Sequence, residues 1–370
     1  MLLHDYTHFV RAKYPGGAAS RVCTEKMTAA TGLGRGLGYP YRTFRFLDLN
    51  LILTEGEIVM CKPLVRRFLA VCLLWVVLVG SVGIARAGDW AQPISNLRAK
   101  LGYVTPGDTP GWPITISTPG SYVLTENLQG TGVAMIEITS SFVTLDLNGF
   151  IINNGSPGGI PIEAAEGTRN VTVINGMVTG GMGGGIRLYD YSVVDKLVVF
   201  AGHGGLRVGN NSKVRDCSVS GAYGIYAEDY SIISNNMAGH GSAGITVGKS
   251  SRVNGNQILS ASFWDIKTGP NSIIEDNTVV DSMTGIQAGS GSLVSRNTVT
   301  GSGTGITADS GSKVTGNTVT DCHQVGLNLA ADAGYANNVL TGNNGGSDNP
   351  QVAGGIQMGI NVCGNGTACP

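Results

Sequence analysis

The residues of this chain that could do chemistry are few, and they recur at similar places in a repeating pattern. Phe263-Trp264-Asp265-Ile266-Lys267 sets a carboxylate and an amine two residues apart in a short string. On an extended strand, alternate side chains share a face at a separation of about 7 Å. Asp265 and Lys267 are therefore the candidate catalytic residues, as an outward acid/base or uronate-binding pair. Trp264 beside them could stack on a sugar ring. The plainer alternative is an edge aromatic with a surface ion pair, which adds little stability. Arg187, Arg207 and Tyr226 each directly follow a Gly-aliphatic step, at Gly185-Ile186, Gly205-Leu206 and Gly224-Ile225. They are the ligand-binding candidates. Stacked arginines repel unless a carboxylate, water or an anionic ligand screens them. A row of such residues could hold an extended polysaccharide, or it could be an ordinary solvated sheet face.

The elements that would position these residues follow from the repeat. Gly-Ile or Gly-Leu steps recur at Gly185, Gly205, Gly224, Gly244, Gly285, Gly305 and Gly326, with Asp265-Ile266 filling the one gap. The aliphatic positions are 19 to 21 residues apart, from Ile186 to Leu327. Six residues after each aliphatic stands Ser192, Ser212, Ser231, Ser251, Ser272, Ser292 or Ser312. Eleven residues after stands Asn236, Asn256, Asn277, Asn297, Asn317 or Asn338, preceded in phase by Leu197 and Cys217. Aliphatic residues return at two, eight and thirteen. Self-similarity at this period means a solenoid. Each unit holds three short period-two segments between Gly, Ser and Asn corners, with no helical periodicity. The unit is one coil of a parallel β-helix, and successive coils stack about 4.8 Å apart. Parallel crossovers favour the right hand. A left-handed helix would need strict hexads. A leucine-rich repeat would need more Leu and a single apolar segment per unit. Buried amides must be satisfied, so the six asparagines are expected to form a ladder, each donating to the next.

Upstream strings extend the pattern. Residues 113–128 read Pro-Ile-Thr-Ile-Ser-Thr-Pro-Gly-Ser-Tyr-Val-Leu-Thr-Glu-Asn-Leu, and residues 142–152 read Phe-Val-Thr-Leu-Asp-Leu-Asn-Gly-Phe-Ile-Ile. With the repeats, residues 113–345 resemble the secreted bacterial right-handed β-helix proteins of the pectin-lyase-like superfamily. That resemblance implies an all-β fold and export. It says less about activity, because the superfamily mixes lyases, hydrolases, epimerases and non-enzymes. Gly202-His203-Gly204 and Gly239-His240-Gly241 resemble a polygalacturonase string. That family's carboxylates have no counterpart, since the asparagine strings here read Asn-Thr-Val and the sequence holds no Asp-Asp pair. A lyase mechanism would require calcium on a carboxylate cluster. Asp229, Asp265, Asp281 and Asp309 share no phase, so no cofactor is evident and Ca2+ enters only under a lyase reading. The epimerase-type Asp-Pro-His-Asp string is absent.

Targeting and composition complete the expectations. Lys62, Arg66 and Arg67, the apolar run Phe68–Gly80 and Ala85-Arg86-Ala87 are the three parts of a cleaved signal peptide. The organisation expected is translation from Met60, with 1–59 a misassigned or non-structural extension, 60–87 as the signal peptide ending at Ala87, and 88–112 as an N-terminal cap. The solenoid then spans 113–345, with a C-terminal cap over 346–370. No transmembrane segment is expected in the mature chain, which would be secreted, periplasmic or on the cell surface. Formal net charge is −1 over 370 residues, with 13% charged, so no nucleic-acid partner is expected. Cys363 and Cys369 are the candidate disulfide of an exported protein. Cys217 and Cys322, about 24 Å apart over five coils, are too far apart to bond within one chain. No metal site is expected from the cysteine spacings. The chain reads as a non-catalytic exported solenoid that binds polysaccharide or cell-surface glycan, or has a structural role. The second reading is a polysaccharide lyase or related enzyme acting on a uronate-rich polymer.

Overall fold

The computed structural model describes residues 6–10, 23–27, 91–346, 349–364 and 369. The chain divides into two units, residues 1–85 and 86–370. In the first, Tyr6–Val10 pairs antiparallel with Cys23–Met27. The expected signal peptide, 60–87, lies outside the described residues.

The second unit is a parallel β-helix. One face of every coil contributes to a twelve-stranded parallel sheet that starts at Ile114–Ile116 and ends at Val352–Ala353. The repeat alignment sets its register: Ile225 sits beside Ile245, Ile245 beside Ile266, and Ile266 beside Ile286. The other two faces carry three-residue strands such as Ile273–Glu275 and Thr278–Val280, each pairing with its equivalents one coil away.

The corners explain the polar residues inside. Each bend uses one residue in the left-handed region: Asn235, Gly255, Asp276, Arg296 and Gly316 at one corner, Tyr230, Ser250, Asn271 and Gly291 at another. Glycine, asparagine and aspartate tolerate that conformation best. The residue after each bend points inward, and its backbone N–H is directed along the solenoid axis. A side-chain oxygen from the next coil accepts it. Ser231 and Ser251 N–H donate to Ser251 and Ser272 Oγ at 3.1 and 3.3 Å. Asn256 N–H and Nδ2 both donate to Asn277 Oδ1 at 2.9 Å. The ladder continues unbroken from Asn236 to Asn338 and gains one further member, Asn361, which accepts from Asn338 at 3.0 Å. At its start, Cys217 N–H donates to Asn236 Oδ1. Between these polar columns the aliphatic columns are fully buried, for example Ile245, Ile266, Ile286 and Ile306.

The two ends are built differently. Helix Asn96–Leu101 covers the first coil, capped by Ser95 and by Gly102 in the left-handed conformation. Gln92–Ile94 before it already pairs as a strand with Gly120–Leu124. Beyond residue 345, Val352–Ala353, Ile356–Gln357 and Val362–Cys363 form a further coil in parallel register, where a cap was expected. Cys363 and Cys369 form a disulfide, and Cys217 and Cys322 are buried free thiols.

Candidate functional site

The outer face of the twelve-stranded sheet carries one continuous row. Glu137, Glu163, Arg187, Arg207, Tyr226, Thr246, Lys267 and Gln287 are adjacent in register, one per coil. Arg187, Arg207, Tyr226 and Lys267 thus lie in line. Four coils separate Arg187 from Lys267, about 19 Å. A second row runs beside it through Tyr223, Ala243, Trp264 and Thr284.

Carboxylates screen the stacked arginines. Glu163 accepts from Arg187 at 2.8 Å, and Glu228 from Arg207 at 3.5 Å. The Arg207 guanidinium lies 4.9 Å from the centre of the Tyr226 ring, and Lys267 Nζ lies 4.4 Å from that of Trp264. Trp264 Nε1 donates to Thr246 Oγ1 at 3.1 Å, which fixes the indole. Arg207 and Lys267 therefore each sit over a ring, and cation–π contact adds roughly 0.5–1 kcal/mol at such exposed places. A groove of about 290 Å³ opens against the row, lined among others by His203, Arg187, Arg207, Tyr223, Tyr226 and Thr246. A larger groove of about 730 Å³ is walled almost entirely by Gly, Ser and Ala, with Phe200, Met182 and His240. It offers a single titratable side chain and carries less chemistry than its size suggests.

Asp265 is not where strand alternation would put it. Its side chain is 0% exposed, so it does not share the outer face with Lys267. The strand Trp264–Thr268 buries two consecutive residues, Asp265 and Ile266, because the chain bends at the start of the strand. Equivalent positions hold glycine for the same reason. A Cβ on Gly244 would lie 2.4 Å from Ile258 Cγ2, and one on Gly285 2.5 Å from Val299 Cγ1. Asp265 Oδ1 accepts from Ala261 N–H at 3.2 Å, and Oδ2 is buried without a well-formed hydrogen bond. Burial pushes the carboxyl up to about 7, against the Ser282 hydroxyl and the Ala261 N–H, while Asp281 pushes it further up. The outward acid/base pair of Asp265 and Lys267 is therefore not formed.

Glu163, Glu228, Tyr223 and His203 join the site without having been singled out for it. Glu163 was hidden because its coil is longer: Ile162 aligns with Ile186, a spacing outside the 19–21-residue repeat. Glu228 and Tyr223 flank the outward position by two and three residues, a signal visible only once the face is known. In the sequence His203 stands out only as part of a Gly-His-Gly string. Among the described residues no group of three or more His, Cys, Asp or Glu is placed to hold a metal ion. Glu137 and Glu163 stand in neighbouring coils, but Glu163 is already paired with Arg187, and two carboxylates alone do not make the oxygen cluster that a calcium-dependent lyase needs.

Residues 204–367 match a family profile described as "Right handed beta helix region". Among solved structures the chain is similar to a periplasmic alginate epimerase, with 13% identity and a TM-score of 0.44, over 63% of this chain and 77% of that one. It is also similar to a mutant tailspike protein of E. coli bacteriophage HK620 in complex with a pentasaccharide. That likeness has 13% identity and a TM-score of 0.48, over 67% of this chain and 58% of the tailspike. A third is the A-module of a mannuronan C-5 epimerase from Azotobacter vinelandii, with 13% identity and a TM-score of 0.39, over 70% and 85% of the two chains. At such identities the likeness concerns the fold alone. No curated protein matches the sequence. Coil, register and profile agree that the fold is a right-handed parallel β-helix.

Proposed function

We propose that this protein is an exported, non-catalytic β-helix that binds polysaccharide along the outer face of its twelve-stranded sheet. The observation that carries this reading is the in-register row from Arg187 to Lys267, flanked by Tyr223 and Trp264 and opening onto a groove. Aromatic rings held by cations and a fixed indole nitrogen supply rigid contact area at low entropic cost. Paired Arg187 and Arg207 keep spare N–H donors for sugar hydroxyls or carboxylates. Because Glu163 and Glu228 balance these two charges, the face suits neutral as well as acidic glycans. The reading also places the protein in the periplasm or outside the cell, through the signal peptide expected at residues 60–87. No helix among the described residues is long and apolar enough to cross a membrane.

A lyase or other carbohydrate-active enzyme is the less favoured function, because Asp265 is buried away from Lys267. The test is a polysaccharide panel offered to the full chain, read for binding and for new unsaturated or reducing ends. Binding that is lost on Tyr226→Ala or Trp264→Ala, with no product formed, supports the proposal. Depolymerisation, or binding indifferent to both substitutions, overturns it.

A further inference from the structure

The corner that follows the twelve-stranded sheet turns on one residue with a positive φ in coil after coil. The later coils fill it with small or polar residues that suit the left-handed conformation, Ser250, Asn271, Gly291 and Gly311. Three earlier coils do not. Phe142, Tyr191 and Tyr230 have φ of 61°, 57° and 59°, where bulky side chains are seldom found. They are 64%, 50% and 51% exposed, so burial does not hold them there. Neither the backbone nor the core calls for an aromatic residue at this position.

Their order is regular. The strands after the corner pair in register, Val143 with Val171, Thr172 with Val193, Val193 with Lys213 and Lys213 with Ile232. Phe142, Asn170, Tyr191, Asn211 and Tyr230 thus occupy one position on consecutive coils, and each donates its backbone N–H to the coil that follows. Aromatic and amide residues alternate. The aromatic positions therefore repeat every second coil, about 9.6 Å apart along the axis. The side-chain amides of Asn170 and Asn211 bond to no other described residue. The charges beside the row are engaged. Asp190 accepts from Asn210 N–H at 2.8 Å, and Lys249, whose Nζ lies 5.8 Å from the centre of the Tyr230 ring, pairs with Asp229 at 3.5 Å.

We infer that this corner is a second glycan site, fitted to an extended, neutral β-1,4-linked polysaccharide lying along the solenoid axis. In such a chain each sugar is turned over relative to the last, so the same ring face returns at every second sugar. That repeat of two sugars is close to the spacing of two coils. Phe142, Tyr191 and Tyr230 each stack on every second sugar, and Asn170 and Asn211 meet the hydroxyls of the sugars between. An α-1,4-linked chain curls and leaves the row after one ring. Asp190 and Asp229, directly before Tyr191 and Tyr230, repel an acidic polymer and leave a neutral one unaffected. The site is separate from the row through Arg187 and Lys267 and does not rest on it.

The experiment is calorimetric titration of the full chain with three soluble probes: the β-1,4-linked hexamers of glucose and of N-acetylglucosamine, and the α-1,4-linked hexamer of glucose. The variant combines Tyr191→Asn with Tyr230→Asn, the residue that this corner already carries at Asn170, Asn211 and Asn271 and one that suits the left-handed backbone. The native chain is expected to bind at least one β-1,4-linked hexamer and not the α-linked one. The double variant should bind that hexamer about tenfold more weakly or worse, while its unfolding midpoint holds or rises. Tyr191→Asn alone serves if circular dichroism shows the double variant to be misfolded. Failure to bind either β-linked hexamer, equal binding of the α-linked one, or full binding by the double variant overturns the inference. A hexamer whose binding falls with Tyr226→Ala and not with the double variant sits on the sheet row, and overturns it too.

Discussion

Asp265→Asn is the most informative single substitution, because it tests the local structure through its pH dependence. The carboxyl is fully buried, with one oxygen accepting from Ala261 N–H and the other without a well-formed hydrogen bond. Burial holds its pKa at about 7, against 3.8 for a free aspartate. The folded state therefore keeps a proton that the unfolded state gives up. The contribution to stability is fully present below pH 3.8, declines as the pH rises to about 7, and is gone above. A gap of this size corresponds to about 4 kcal/mol at most, at 1.36 kcal/mol per pKa unit. Asparagine keeps the shape and the acceptor for Ala261, and cannot ionise. The variant should match the native chain to within about 1 kcal/mol near pH 4 and exceed it by up to about 4 kcal/mol at pH 8. Solenoids open locally, so the assay is hydrogen exchange of the amides of Trp264–Thr268 across pH 5 to 8, corrected for intrinsic exchange, with urea unfolding alongside. Native protection should fall with pH while that of the variant stays level. Parallel curves would refute the burial argument. So would a variant destabilised equally at every pH, which would mean that the ionised carboxylate makes a bond the asparagine cannot.

Three further outcomes follow from the same geometry. Asn297→Ala leaves the N–H and Nδ2 of Asn277 without their shared acceptor and should cost roughly 3 kcal/mol, read as a lower urea midpoint. Gly285→Val forces a Cβ to within 2.5 Å of Val299 Cγ1 and 2.7 Å of Gly305 O, and should destabilise by about 3 kcal/mol or more in the same assay. Tyr226→Ala and Trp264→Ala remove partly exposed rings, so each should lower glycan affinity about tenfold or more in calorimetry while shifting the unfolding midpoint little.

The fold was legible because a β-helix writes each structural column into the sequence at a nearly constant period. Ile225, Ile245, Ile266 and Ile286 could be placed in register from spacing alone. The asparagine phase pointed to a ladder because a buried amide has few ways to satisfy itself, and stacking equivalent amides is one of them. The site was less legible. Arg187, Arg207, Tyr226 and Lys267 fell in one row as the period required. Glu163, which neutralises the first arginine, sits on a longer coil and lost its phase. Asp265 was assigned outward because alternation was applied through a bend. At that bend two successive residues turn inward, and the glycines at Gly244 and Gly285 were already the sign of a position with no room for a side chain.

The ladder also accounts for why the ends of this solenoid cannot be interchanged. Each asparagine from Asn256 to Asn338 gives two hydrogen bonds to the next coil and receives two from the coil before, so the column has a donor end and an acceptor end. At its start, Cys217 needs only to offer its N–H to Asn236, and a thiol can fill the position without an unsatisfied amide. The far end must supply an acceptor for two donors of Asn338, and Asn361 supplies it while bonding its own Nδ2 to Gly359 O. Residues 352–363 are therefore needed as a coil in their own right, since a cap without an inward amide at that phase would strand both donors of Asn338 inside. The inward turn of Asn361 in turn places its neighbours Ile360 and Val362 outward, so this part of the apolar rim follows from terminating an amide column correctly.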